Sequence, residues 1–265
     1  MTKKPGDISA DERNPLAKAL KILQWFVFDA KGSVGVREFS AATGMAPSSA
    51  HRLLAGLARE GYLQQDEEGR YDLGLEMFRL ANGATRRVPL SRLATEPMRE
   101  LVDACNETAF LGIYSRERMQ MMVIQRVDSL HPLRYMTELF NWIPVHAGAS
   151  GLSIMAFLSD EERDGIVERG LERLTENTIV DKNALDAQLQ VIRRQGYAVS
   201  AGQRIVGAVG FGAPVFGPSG SVIGNVNITV PAQRYRKSDE PRFAKCLLQC
   251  TQAITALMGG ARKSP

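Results

Sequence analysis

From Pro15 to Gly61 the apolar positions recur at the three- and four-residue spacing of helices. From Tyr62 to Leu73 they fall instead into two short runs around the acidic turn Asp66-Glu67-Glu68-Gly69. The pattern predicts three helices followed at once by a small hairpin. In the first helix Leu16, Leu20, Leu23 and Val27 fall on one stripe, with Pro15 suited to the first turn and Gly32 to the exit. A short second helix follows, with Gly35 as N-cap, Glu38 where a capping box needs it, and Gly44 as the left-handed exit. Val36, Phe39 and Ala42 are its inward residues. The third opens at Pro47, buries Ala50, Leu53, Leu54 and Leu57, and ends at Gly61.

The third helix leaves Ser48, Ser49, His51, Arg52 and Ala55 facing outward in its N-terminal half. Small, hydroxylated and basic side chains at a helix start suit a major groove. Hydroxyls bond phosphates or bases, and an arginine forks onto guanine. A short Gly-containing turn between two helices is the helix-turn-helix arrangement. In the hairpin, Leu63 is predicted to pair with Tyr71 or Leu73, with Arg70 just past the tip as a candidate backbone contact. The same pattern fits a small helical pair that binds no nucleic acid, with Ser48 and Ser49 as capping residues and Arg52 as a solvated charge.

Beyond Leu75 the helical pattern continues through Phe78 and Leu80 and fades near Ala84–Pro89, as at a domain linker. Leu90–Glu107 reads as a helix containing Pro97, near its start or at a kink. Thr108–Ser115 and Gln120–Asp128 form a hairpin, and Ser159–Glu162 a capping box that opens another helix. Asp181–Gly196 is a capped helix, Ser221–Pro231 a strand, and Ser238–Met258 a closing helix. Helices and antiparallel strands mixed in this way indicate an α+β fold.

Composition narrows the class. The chain has 265 residues, 44% apolar and 23% charged, as in a globular protein with one large domain or two ordinary ones. No apolar run approaches the ~20 residues of a membrane span. The polar N-terminus lacks the apolar centre of a signal peptide, and three cysteines (Cys105, Cys246, Cys250) do not make a disulfide framework. The cytoplasm is the expected location. The net charge of +4 leans towards an anionic partner, but residues 1–86 hold 12 Lys/Arg against 11 Asp/Glu, a balance of only +1. Pattern, not charge, carries the DNA-binding reading.

No catalytic constellation emerges. Gly148-Ala149-Ser150-Gly151-Leu152 is out of register with a nucleophile elbow, and Val206–Val215 is Gly-rich without a dinucleotide fingerprint. The latter reads as a strand with close backbone approach. Cys246 and Cys250, one helical turn apart with no histidine nearby, do not complete a zinc site. Neither cofactor nor metal is expected, and the protein is not expected to be an enzyme. What remains is a ligand pocket. Ala149 and Ser150 lie where a loop turns into a helix, and its unpaired amides and dipole favour an anion. Asn227 and Thr229 share one face of a strand, aimed either at a ligand or at solvent. Phe110, Met136, Trp142 and Phe211 are candidates for apolar walls, or plain core.

The stretches His51–Gly74, Pro144–Gly151, Arg193–Gln203 and Gly212–Pro231 together resemble, in order, the landmarks of the IclR family of bacterial transcriptional regulators. The resemblance covers about Asn14 to Met258. It implies an α+β chain with a flexible N-terminus (1–14), a winged helix-turn-helix DNA-binding domain (15–74), a linker helix (75–90) and a GAF-like α/β effector-binding domain (91–265). DNA contacts would come from Ser48, Ser49, His51, Arg52 and Arg70, and effector contacts from Met136, Ala149, Ser150, Ser200, Gly210, Asn227 and Thr229. Pro47, Gln64 and Gln65 stand where family members often carry basic residues, which removes candidate phosphate contacts. Some relatives have a carboxylate-bearing residue in place of Ser200.

The partners expected are a double-stranded, pseudo-palindromic operator, a small organic acid of a catabolic pathway, with an aromatic acid such as a hydroxybenzoate favoured over a keto acid by the nearby Phe and Trp candidates, and further copies of the chain as a homodimer or dimer of dimers. The alternative is a small-molecule enzyme or sensor whose N-terminal domain serves protein contacts.

Overall fold

The computed structural model describes residues 14–85 and 88–261. The N-terminal tail expected over 1–14 lies outside the described residues except for Asn14. Contacts divide the chain into two compact units, Met1–Val88 and Pro89–Pro265.

The first unit runs α1 (Pro15–Phe28), α2 (Val36–Thr43), α3 (Pro47–Arg59), β1 (Leu63–Gln65), β2 (Tyr71–Leu73) and α4 (Leu75–Thr85). Asn14 caps α1, its side chain accepting from the amides of Leu16 (3.0 Å) and Ala17 (3.3 Å). Gly35 starts α2 with half of the expected capping box: its amide donates to Glu38 Oε2 at 3.0 Å. Gly44 closes α2 at φ +69°, a left-handed exit that favours glycine. Ile22, Phe26, Phe39, Met45, Ala50, Leu54, Leu63 and Tyr71 form the core.

Two expected faces are corrected. α1 buries Ile22 and Phe26, while Leu16 (68% exposed) and Leu20 (53%) face outward with Val27. α1 carries two apolar stripes, and the aromatic one wins because Trp25 and Phe26 pack against Phe39, with Phe26 and Phe39 stacked 5.8 Å apart. In α2 Ala42 is exposed and Thr43 is buried instead. Its hydroxyl donates to Phe39 O at 2.7 Å, so the polar group enters the core already paired.

The second unit opens with α5 (Pro89–Cys105), which holds Pro97 well inside the helix rather than near its start. β3 (Ala109–Ser115), β4 (Gln120–Val127), β5 (Trp142–Pro144), α6 (Gly148–Met155), α7 (Asp160–Glu168) and α8 (Lys182–Gln195) follow. β6 (Ala198–Ala201), β7 (Ala208–Phe216), β8 (Val222–Pro231) and α9 (Glu240–Leu257) complete it. The six strands make one antiparallel sheet in the order β5-β4-β3-β8-β7-β6. Alternation along β7 sorts the two faces. Phe211 packs on Phe243 of α9, 5.4 Å between ring centroids. A Cβ on its neighbour Gly212 would run into the carbonyl of Ala149, so the other face carries the start of α6. The fold is α+β, as the mixed pattern predicts. Among the described residues no helix is long and apolar enough to cross a membrane.

Candidate functional site

Two places in the molecule bear on function, one in each unit. In the first, α3 begins at Pro47 after the extended N-cap Ala46, which leaves its first turn outward. Ser48, His51 and Arg52 are exposed there, Ser49 is half-buried, and Ala50 and Leu54 anchor the opposite face in the core. Behind it stands the hairpin, with Leu63 opposite Leu73 and Gln65 opposite Tyr71. Tyr71 also exchanges backbone hydrogen bonds with Val34, 2.8 and 2.9 Å, so the wing is tied to the segment before α2.

Arg70 departs from its expected role. Its Nη2 donates to Ser33 O (2.6 Å) and Glu38 Oε2 (2.9 Å), and its Nε to Ser33 Oγ (3.3 Å). The guanidinium is turned inward as a strut between wing and α2, because Glu38 and an unpaired carbonyl offer it fixed acceptors. Glu38 answers to the same geometry. The Gly35 amide, and then Arg70, hold its carboxyl below the usual range.

The second place lies where α6 begins. β6, β7 and β8 set Ser200, Gly210 and Thr229 side by side in one row, and Gly212 beside Asn227 in the next. The two glycines leave this patch without side chains, and the first turn of α6 rests there. A Cβ on Gly210 would stand 3.2 Å from that of Ala149. Three bonds fix α6. The Ala149 amide donates to Ser200 Oγ (3.0 Å), and Asn225 Nδ2 donates to Ser150 O (3.0 Å) and Ser153 Oγ (3.3 Å).

The result is a polar cavity of ≈ 30 Å³ inside a concavity of ≈ 330 Å³, lined among others by Ala149, Ser150, Ser200, Gly210, Asn227 and Thr229. Asn227 (4% exposed) and Thr229 (8%) are buried, so the choice between ligand and solvent falls against solvent. Asn227 Nδ2 makes a long bond to Phe110 O, 3.4 Å. The amides of Gly148 and Ser150 have no acceptor among the described residues, which is the usual debt of a helix start.

Six of the seven expected effector residues therefore meet, and Met136 does not. It is 59% exposed, its sulfur lies 3.6 Å from Arg126 Nη1, and it is not among the residues that line the cavity. The aromatic walls also fall elsewhere. Phe110 and Phe211 are core, and Trp142 lies under the Arg118 guanidinium, 4.8 Å from it. Sequence reasoning missed Gln203 and Arg204, which line the cavity from the loop after β6. Arg204 is half-buried, and that burial pushes its guanidinium down from the ordinary value. Its position in an irregular loop has no periodic signature. The one available hint was a lone cation amid small residues in Ser200–Gly207.

A winged helix followed by an α/β unit with a polar cavity at a helix start defines the class, a two-part transcriptional regulator. Comparison with known proteins makes the class specific. Residues 15–67 match the model of the IclR helix-turn-helix domain, and residues 82–256 that of the bacterial transcriptional regulator IclR C-terminal domain. The HTH-type transcriptional regulator KdgR of Escherichia coli K12 is 30% identical over 96% of this chain and 95% of its own. Two solved structures share the fold. The IclR transcriptional regulator from Alicyclobacillus acidocaldarius has a TM-score of 0.80 at 22% identity, over 93% of this chain and 98% of that one. An IclR homologue from Microbacterium hydrocarbonoxydans, complexed with 4-hydroxybenzoate, has a TM-score of 0.78 at 21% identity, over 92% of this chain and all of that one. The chain belongs to the IclR family of bacterial transcriptional regulators and is a DNA-binding regulator of that type.

Proposed function

We propose that this regulator reads a pseudo-palindromic operator through paired winged helices, and that a small organic acid of a catabolic pathway controls it from the cavity at the start of α6. Residues 15–74 read DNA, 75–90 link, and 91–265 sense. Its place of action is the cytoplasm, with the chromosome. Ser48, Ser49, His51 and Arg52 face the groove, and Arg70 holds the wing in place instead of touching DNA. Pairing of chains, as a dimer or dimer of dimers, is supported by the exposed apolar side chains that the first unit leaves on α1 and α4. Leu16, Leu20, Leu75, Phe78 and Leu80 are each more than half exposed, an apolar surface that water disfavours.

The observation that carries the effector reading is the cavity itself. Unpaired amides at a helix start favour an anion, and the neutral Ser200, Asn227 and Thr229 can recognise a hydroxyl or keto group without burying another charge. The ≈ 30 Å³ space at the base of the open ≈ 330 Å³ concavity holds no more than a small polar group, so a short aliphatic acid requires the least widening. A second reading, an aromatic acid, is favoured by the 4-hydroxybenzoate held by the Microbacterium relative, and it requires the cavity to widen.

Calorimetric titration separates the readings. An acid of a few carbons should bind the wild type, and Asn227→Ala should weaken it by roughly 1–3 kcal/mol while the melting curve stays cooperative. Binding only by hydroxybenzoates selects the second reading. Equal affinity in wild type and Asn227→Ala sets the effector elsewhere.

A further inference from the structure

Among the described residues that line the α6 cavity, Arg204 is the only ionisable one. Its side chain makes no hydrogen bond or ion pair with any described residue. A half-buried cation in that position loses part of its hydration and gains no partner, which is costly unless a ligand supplies one. The backbone makes room for it. Gly148 opens α6 at φ +78°, and a Cβ there would lie 3.1 Å from Arg204 Cβ and 3.5 Å from its Nε. The Arg204 side chain thus passes close beside Gly148, where α6 opens, and lines the same cavity as Ser150. A second observation is independent of charge. Thr229 is 8% exposed as a residue, lines the same cavity, and its hydroxyl makes no hydrogen bond to a described residue, which leaves it available to a molecule in the cavity.

We propose that Arg204 is the charge-selecting residue of the effector site, its guanidinium pairing with the carboxylate that the first-turn amides of α6 also grip, while Thr229 reads a neighbouring hydroxyl or keto oxygen. The inference rests on the effector reading given above and deepens it. A planar guanidinium presents paired donors that match the two oxygens of a carboxylate, and in a partly dehydrated cavity it discriminates strongly against the neutral amide of the same shape. With one cation and no acid in the lining, the site takes one carboxylate and no second buried charge. The ligand class is therefore a short hydroxy- or keto-monocarboxylate.

The test uses the full chain and probe pairs that differ only in charge: glycolate with glycolamide, lactate with lactamide and pyruvate with pyruvamide, titrated by calorimetry at fixed ionic strength. The wild type should bind at least one acid and prefer it to its amide by about tenfold or more. Arg204→Gln should lose about tenfold or more for the acid and abolish the preference, with a ligand-free melting temperature no lower than that of wild type. Thr229→Val should weaken acid and amide alike. Arg204→Lys keeps the charge without the fork, and should keep the preference at reduced affinity; it also serves if Arg204→Gln fails to fold. If the wild type binds an acid and Arg204→Gln binds it with the same preference, the Arg204 assignment is overturned while the effector reading stands. If the wild type binds none of the acids, the short-acid reading falls and this assignment with it.

Discussion

At the scale of single residues, what a side chain does depends on which acceptor or donor stands nearest. Arg52 and Arg70 look alike in the sequence, both basic and both at an edge of the reading head. One is exposed on α3 and the other is bound to Ser33 and Glu38. The difference comes from a long-range contact, since Ser33 and Arg70 are brought together by the Val34–Tyr71 bridge, and no local spacing announces that. Arg52→Ala should weaken operator binding by roughly 1–3 kcal/mol in a gel-shift titration if it reads a base. A parallel fall in specific and non-specific binding would mean a phosphate contact, and no change for either DNA would remove Arg52 from the interface. Glu38 gives the strut a pH dependence. Its folded pKa lies below the ordinary 4.5, so its contribution is present above that value and is lost as pH falls through the folded value. Melting curves from about pH 6 to about pH 3 should show a steeper acid loss for wild type than for Glu38→Gln. Parallel curves would mean that the strut adds no acid-sensitive stability.

At the scale of elements, helices and strands were largely legible because their punctuation is local. Ser159 and Glu162 cap α7, Asp181 and Gly196 bound α8, and Gly44 and Gly61 close helices as their left-handed φ values require. Which stripe of a helix is buried was less legible. Leu16, Leu20, Leu23 and Val27 make as regular a row as Ile22 and Phe26, and only the rings of Trp25 and Phe39 decide between them. The site was legible where it lies on a regular strand, at Asn227 and Thr229, and illegible in the loop that carries Arg204. Gly210 and Gly212 matter to it through what they lack. Gly212→Ala would press a methyl group into the Ala149 carbonyl and lift the start of α6 off the sheet. We expect a loss of roughly 1–3 kcal/mol in urea denaturation, together with weaker acid binding. Unchanged stability and binding would mean that α6 does not need this close approach.

For the whole molecule, each unit has its own core, and function requires them to communicate. The first unit presents the outward start of α3 and exposed apolar side chains on α1 and α4, and the second presents a cavity whose lining is almost entirely neutral apart from Arg204. Neither the operator nor the sign of regulation has a residue signature, since both depend on how two global states differ in energy. Thermodynamic linkage still fixes one consequence. If an acid in the cavity changes DNA affinity, DNA must change the affinity for the acid by the same factor. The most direct measurement is a fluorescence-anisotropy titration of a labelled operator fragment with the full-length protein, at fixed salt, with and without a saturating acid from the calorimetric screen. A shift of about 5- to 150-fold in the operator dissociation constant, in either direction, is the predicted result. An unchanged constant with the acid bound would contradict the account.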